Sequence, residues 1–562
     1  MALPIIFDSP WVRWGWGVPI LVLLWWLTRH LRQEPDEARE PRWIGRPLWF
    51  PLERLDRVSL GICAAIGVLF WIGRASINPY PPDSIYHLLV ARRIYETGSV
   101  PMWCDWQFFP LGRPHLYPPL FHLALAGAAW LFHGDFLAGF RFVETIALPF
   151  VFFSTWYLAR WLFDARRAFV ALLIVGTDYS LVFTAAMGTP SVLATSLMSF
   201  AIVMFLSGRW HIAALLCVTM FYTHTGIPPI ALGALGLFGL LHRRYLPDFL
   251  AVAVISLIAF VPWYARLYVF RDWFTHPLAE GVYGAIPPEW LPFYKIAWLQ
   301  FVSFSVVIVV LRAFRGLRWG EARNQVLLIA IAACLPMLFS YGGRFYTHSI
   351  HLWAILAAGV FARYLCAPVR TKRILAFGLL ALAPTVGIMG FGTPIPPGTY
   401  PMPSAWLIAP VVATRALDLI NEAQPPGYVT WRQAEAVAQR VREVTVPGQP
   451  IYFQGDRDFA LMIEWLADRP IDTGAWEETQ PNRQARALID WAASHNPNGC
   501  WVSRSNVGFP AEAEVEEVAG LYVGWRHADP TDARKLRRKL KRELRQQAHD
   551  SYEIDASAEP SE

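Results

Sequence analysis

The amino-acid sequence predicts a polytopic α-helical membrane protein with a C-terminal soluble α/β domain. Composition points first to the membrane. Of 562 residues, 55% are hydrophobic and only 16% charged, and the mean hydropathy is +0.33, a balance seen in bilayer-embedded chains. Apolar segments near the ~20 residues needed to cross a bilayer recur from residue 10 to residue 391. After Gly392 a Pro-rich stretch, TPIPPGTYPMPS, leads into ordinary soluble composition.

The segments are placed at 10–28, 58–74, 117–132, 138–157, 168–184, 191–207, 211–223, 227–241, 248–265, 296–311, 325–340, 346–363 and 374–391, about 12–13 in all. The first lacks a small-residue cleavage site and reads as a retained segment. Residues 1–57 form this segment and a basic cytoplasmic loop, and residues 58–392 form the main transmembrane domain. Arginine placement sets orientation, because short cytoplasmic loops collect Lys and Arg. Basic loops fall at Arg29–Arg57, Arg160–Arg167, Arg209, Arg243–Arg244, Arg312–Arg323 and Arg363–Arg373. The loops 185–190, 223–226, 266–295 and 341–345, and everything after 392, are assigned to the outside. Parity between the insert 78–117 and Arg160–Arg167 leaves room for one full crossing. The segment opening Tyr117-Pro118-Pro119 is therefore taken as half-inserted or surface-lying, since prolines break its first turn.

The linker 393–404 precedes an external soluble α/β domain at 405–530. Within it, 405–420 reads as an interfacial helix. Helices follow at 428–444, 457–468 and 482–495, with strands at 450–454, 500–504 and 521–527. A basic helix, ARKLRRKLKRELRQQ, and a polar tail close the chain at 531–562. The helix suits either anionic headgroups or solvent. Cys63, Cys217, Cys334 and Cys366 read as small apolar residues. Cys104 and Cys500 share the predicted outer side, where a disulfide is chemically open to them. No Cys/His spacing suggests zinc, and no Gly-rich phosphate loop occurs. The net charge of +6 reflects loop arginines and gives no case for nucleic acid.

Chemistry concentrates in the polar, aromatic insert from Asn78 to Tyr117, NPYPPDSIYHLLVARRIYETGSVPMWCDWQFFPLGRPHLY. Asp83 follows Pro-Pro and opens a helical stretch. It can cap that helix, act as a base, or supply a hard oxygen to a divalent cation (Mg²⁺ or Mn²⁺). His87 lies one turn on, at i+4, and shares its face. Arg92, Arg93 and Glu96 extend a helix expected to lie flat on the membrane with Ile85, Leu88 and Leu89 downward. Arg113 either grips a phosphate with its planar fork or caps a turn. Asp105 is a further candidate metal ligand.

The run D-x-x-Y-H followed by C-D-W-x-F-F-P-L-G-R and Y-P-P-L resembles the first external loop of the oligosaccharyltransferase catalytic subunit family. There a D-P-x-F-x-Y-R helix precedes W-F-D, W-Y-P-L-G-R and Y-P-G. The wider class is the GT-C superfamily of membrane glycosyltransferases, with protein O-mannosyltransferases and lipid A aminoarabinose transferases. The resemblance continues more loosely to about residue 365. Gly343-Arg344-Phe345 resembles the family's late R-F helix start, whose arginine contacts a lipid-linked phosphate. It implies a GT-C-like fold with an external C-terminal domain.

Two departures narrow what it implies. The second acidic motif, D-x-D/E, should fall where Ala186-Met187-Gly188-Thr189-Pro190-Ser191 stands, and no carboxylate is there. The W-W-D-Y-G motif is absent, so asparagine glycosylation is not expected. Asp178 is the local substitute for the missing carboxylate and a third candidate metal ligand. His224 in Thr223-His224-Thr225-Gly226, Glu280 in PLAEGVY, and His348 complete the candidate substrate-binding set with His87, Arg113 and Arg344. His351 follows His348, and Glu289 shares the loop of Glu280. An interfacial histidine can equally be a hydrogen-bonded packing residue.

The function expected is an integral-membrane glycosyltransferase. It takes a sugar from a polyprenyl-phosphate-linked donor and passes it, with inversion, to a protein, glycan or lipid acceptor at the external face of the cell membrane. Asp83 is the candidate catalytic base. Two alternatives stand beside it: a polytopic lipid or sugar transporter or flippase, and a catalytically inactive relative that binds a lipid-linked sugar. Against transport, no inverted repeat or matched pair of broken segments is visible.

Overall fold

The computed structural model describes residues 43–74, 83–176, 188–273, 321–340, 342–365, 431–454, 457–474 and 499–526, with isolated positions elsewhere. The expected segments 10–28, 296–311 and 374–391, the linker, the helix at 405–420 and the basic tail lie outside them, as does most of the expected helix 482–495.

Eleven helices run from Arg54 to Leu365 among the described residues: α1 (Arg54–Arg74), α2 (Asp83–Thr97), α3 (Leu120–Leu131), α4 (Phe136–Leu162), α5 (Ala165–Gly176), α6 (Pro190–Leu206), α7 (Trp210–Thr223), α8 (Ile227–Leu241), α9 (Leu246–Val269), α10 (Ala322–Ser340) and α11 (Gly342–Leu365). Two of the described helical stretches, Phe136–Leu162 and Arg243–Val269, are long and apolar enough to cross a membrane. Each holds 27 residues, or about 40 Å at ~1.5 Å per residue. α9 leaves Leu250, Val254, Ile255, Leu257, Ile258 and Val261 exposed, the surface a lipid-facing helix presents.

By contrast α3 has 12 residues, only about 18 Å, short of the ~30 Å hydrocarbon core. It starts directly after Pro119 and doubles back on α4 through a tight turn. Asp135 caps α4 by accepting from the Ala138 N–H at 2.9 Å. The two helices cross closely at Gly139, where a Cβ would meet the Ala129 backbone nitrogen at 2.7 Å. α5 covers 168–176 of the segment expected at 168–184; of the remainder only Leu181 is described.

Beyond residue 430, α12 (Trp431–Val444) and α13 (Arg457–Ala467) pack on a four-stranded mixed sheet of β3 (Ile451–Gln454), β4 (Cys500–Ser503), β5 (Glu514–Val518) and β6 (Leu521–Trp525). The strand order is β3-β4-β6-β5. β3 and β4 are parallel and the other pairs antiparallel. In β3 and β6 the buried residues are apolar, which is why their runs read as strands. β5 was not expected. Its sequence, Glu514-Val515-Glu516-Glu517-Val518, lies almost wholly exposed at the sheet edge, where charge protects an unpaired ladder.

There are two cores. One joins α1 and the helices α4 to α11. The second joins α2, Cys104, Trp106, α3 and Phe140 to α12, α13 and the sheet. This second core corrects one expectation. α2 does not lie flat on a membrane with one apolar face, because Ser84 to Ala91 are all buried. α3 covers one side and α13 another, so from Ser84 to Ala91 every face of the helix is covered by protein, while Tyr95 to Thr97 are exposed. Cys104 and Cys500 belong to this core as buried free thiols and form no disulfide.

Candidate active site

Asp83 opens α2 and is half-buried; His87, one turn later, is 1% exposed. The His87 Nδ1 is 2.8 Å from the Nε2 of His122 on α3, one nitrogen donating to the other. Beside it, Tyr86 Oη is 2.8 Å from His115 Nδ1. The rings of His115 and His122 are 5.2 Å apart. Burial holds the His87 imidazole well below the ordinary histidine range, and the neighbouring His122, His115 and His224 add to that effect. His115 is lowered too, by burial and then by His122, Arg113 and Arg266. Both rings are neutral at pH 7.

A line of edge-to-face rings continues from here. His87 packs on Tyr117 at 5.1 Å, Tyr117 faces His224 at 6.4 Å, and His224 faces His348 at 5.8 Å. His224 ends α7 and its Nδ1 accepts from the N–H groups of Gly226 and Ile227, at 3.0 and 3.2 Å, at the start of α8. It therefore serves the packing role as well as the cluster. His348 is 2% exposed on α11, and Arg344 stands four residues earlier in the helix's first turn. The two ends of the line are alike: an acid four residues before a histidine on α2, and an arginine four residues before a histidine on α11.

The loop between α2 and α3 is held from several directions. β1 (Trp103–Cys104) pairs with β2 (Arg113–Pro114). The turn between them needs glycine at Gly112, whose φ is +73 and where a Cβ would lie 2.8 Å from the Cys104 carbonyl. From α9, Trp263 Nε1 donates to the Leu116 carbonyl at 3.3 Å and Arg266 Nε to the His115 carbonyl at 3.0 Å. From the C-terminal domain, Thr473 and Ile471 carbonyls accept from the amides of Phe108 and Phe109, and Ile471 donates to Trp106.

The remaining expected site residues divide. Arg113 is 2% exposed, its guanidinium 5.1 Å from the Tyr86 ring and 5.9 Å from Phe108. It sits inside the loop instead of at an open surface. Asp105 is exposed in the turn after β1. Asp178, Glu280 and Glu289 lie outside the described residues, as does the side chain of Arg344. Among the described residues no three His, Cys, Asp or Glu side chains gather as a metal would require. Asp83 and Asp105 thus belong to no such group among the described residues, and Asp178 lies outside them.

One carboxylate escaped the sequence reading. Glu144 on α4 is 1% exposed, and a Cβ at Gly188 (φ +63) would lie 2.6 Å from its Oε1. Gly188 belongs to the segment where the second acidic motif was expected, so a neighbouring helix brings an acid to it. The signal was available, because a lone Glu inside a predicted membrane segment is costly and so worth notice.

No protein-family profile and no curated protein matches the sequence. Solved structures do match. ArnT from Cupriavidus metallidurans bound to undecaprenyl phosphate superposes with a TM-score of 0.56 at 15% identity, over 84% of this chain and 98% of that one. The apo oligosaccharyltransferase of Archaeoglobus fulgidus gives 0.51 at 13% identity, over 79% and 69%. The mycobacterial arabinofuranosyltransferase AftD gives 0.51 at 13%, over 85% and 40%. All three are GT-C fold glycosyltransferases, and identity this low speaks for architecture alone. The chain is built on the GT-C fold.

Proposed function

We propose that this protein is a membrane glycosyltransferase that moves a sugar from a polyprenyl-phosphate-linked donor to an acceptor at the outer face of the cell membrane. The observation that carries the reading is the line of rings His87, Tyr117, His224, His348. It joins the helix start bearing Asp83 to the one bearing Arg344. The structural neighbours add weight, since one of them was solved with undecaprenyl phosphate and another with dolichol-phosphate.

The residues suit that chemistry. Asp83 accepts the acceptor's proton as its oxygen or nitrogen attacks the anomeric carbon. The bond from that carbon to the phosphate oxygen breaks, configuration inverts, and polyprenyl phosphate leaves. Arg344, with a ring N–H of His348, stabilises the departing charge. The buried histidines and rings keep water from competing for the sugar. His87, held by His122, orients the Asp83 end, and Glu144 is the candidate second carboxylate. A divalent ion, if loaded, would draw on Asp83 and add electrostatic stabilisation of the phosphate.

Purified protein in detergent should transfer radiolabel from undecaprenyl-phosphate monosaccharides to an acceptor fraction, assayed with and without Mg²⁺ or Mn²⁺. Asp83→Asn should lower the rate by about 10²–10⁴-fold. Full activity in that variant would remove Asp83 from its role. Movement of the labelled lipid across vesicles without transfer would instead establish a flippase.

A further inference from the structure

The C-terminal domain sends one carboxyl into the first loop. Glu464 on α13 is 1% exposed, and its Oε2 accepts from Gln107 Nε2 at 3.3 Å; Gln107 is itself fully buried. Its Oε1 has no hydrogen-bond partner among the described residues. Burial pushes this carboxyl well above the usual range, against the pull of Gln107 and then of Arg113, Arg93 and Arg92. The loop continues to Arg113, which lies 5.9 Å from the ring of Phe108, the neighbour of Gln107 in sequence. Its guanidinium lies 5.1 Å from the Tyr86 ring, Tyr86 is bonded to His115, and the His115 ring neighbours His122, which holds His87. A buried run of polar and aromatic contacts therefore leads from the C-terminal domain, along the loop 107–113, to the histidine one turn past Asp83.

The seam has other fastenings besides Glu464. Elsewhere the domain is fastened by the ladder of Phe108, Phe109 and Ile471 amides. Arg92 adds a second strap, lying 3.7 Å over Trp465 and bonding the Trp465 carbonyl at 3.1 Å. A buried carboxyl oxygen left without a partner is destabilising, and an apolar residue on α13 would avoid that penalty.

We propose that Glu464 is a positioning residue. From the C-terminal domain it holds Gln107, and through the loop that carries Phe108 and Arg113, then Tyr86 and His115, it sets the histidine cluster beside Asp83, so the site is ordered only when this domain is docked. The activity arm of the test rests on the glycosyltransferase reading, whereas the exchange arm does not.

The test is hydrogen exchange by mass spectrometry on the full chain in detergent, paired with transfer from undecaprenyl-phosphate sugars. Glu464→Ala should raise exchange across 83–90 and 106–113 by about tenfold while leaving α6 unchanged. Glu464→Gln keeps shape and one acceptor. It should preserve the Phe108, Phe109 and Ile471 amides yet lower transfer about tenfold, mainly in kcat. Met462→Ala, a packing change on the same helix, controls for a loosened seam. Unchanged loop exchange in Glu464→Ala overturns the proposal, as does Met462→Ala reproducing both the exchange and transfer losses. If the wild-type protein transfers nothing, the functional reading fails, and the exchange of Glu464→Ala against Met462→Ala still decides the role of Glu464.

Discussion

Helix α2 is buried on two sides that differ in kind. Towards α3 it presents His87, in a cluster of neutral rings closed by two 2.8 Å contacts, with His115 and His122 fully buried. Towards α13 it presents Arg92, stacked on Trp465 and paired at 3.3 Å with Asp468, which is 58% exposed. Charge is tolerated where water reaches one partner and is replaced by neutral polar groups where it does not. The first side therefore depends on geometry, and each member's loss strands a buried atom. The second is an edge, where losing one contact leaves a solvated partner.

That contrast ranks the outcomes. His87→Leu leaves the His122 Nε2 without its partner in a dry environment. It should cost about 2 kcal/mol of stability and lower transfer on the order of 10²-fold through the misplaced Asp83 end. Thermal unfolding and single-turnover transfer check both, and a variant that is destabilised but fully active would make the cluster purely structural. Arg92→Ala removes a cation–ring contact and a half-exposed ion pair, which together should cost about 1–2 kcal/mol. Transfer should stay within about threefold of wild type, because the seam ladder remains. A tenfold loss there would show that the seam, too, is part of the site.

The sequence displayed the first side better than the second. Asp83 and His87 at i+4 followed Pro-Pro, and the Phe-Pro-Leu-Gly-Arg run carried the family resemblance. The aromatic girdle then marked where polar groups gather. Hidden were the long-range partners. Nothing local announces that Glu464, some 350 residues on by number, inserts beside Gln107, or that Ser84 to Ala91 are covered on every face. Glu144 was visible as a charge in an apolar run but not as a neighbour of Gly188, since helix pairing decides that contact. Strand β5 was missed for a related reason: five exposed edge residues carry no burial pattern to read.

Protonation separates the two sides with opposite sign. His115 is held well below 6.5, so the unfolded chain binds more protons than the folded one as pH falls below 6.5. Its contribution to stability is complete above 6.5 and fades on acidification, by about 1 kcal/mol between pH 6.5 and 5.5. Glu464 is held well above 4.5, so its contribution is complete below 4.5 and fades as pH rises towards the elevated value. Measured as differences from wild type, the apparent Tm of His115→Asn should gain on acidification through this window, and that of Glu464→Gln should gain on alkalinisation. A flat difference for Glu464→Gln would mean that the seam carboxyl titrates as a solvated acid, and the contrast between the two sides of α2 would then reduce to geometry alone.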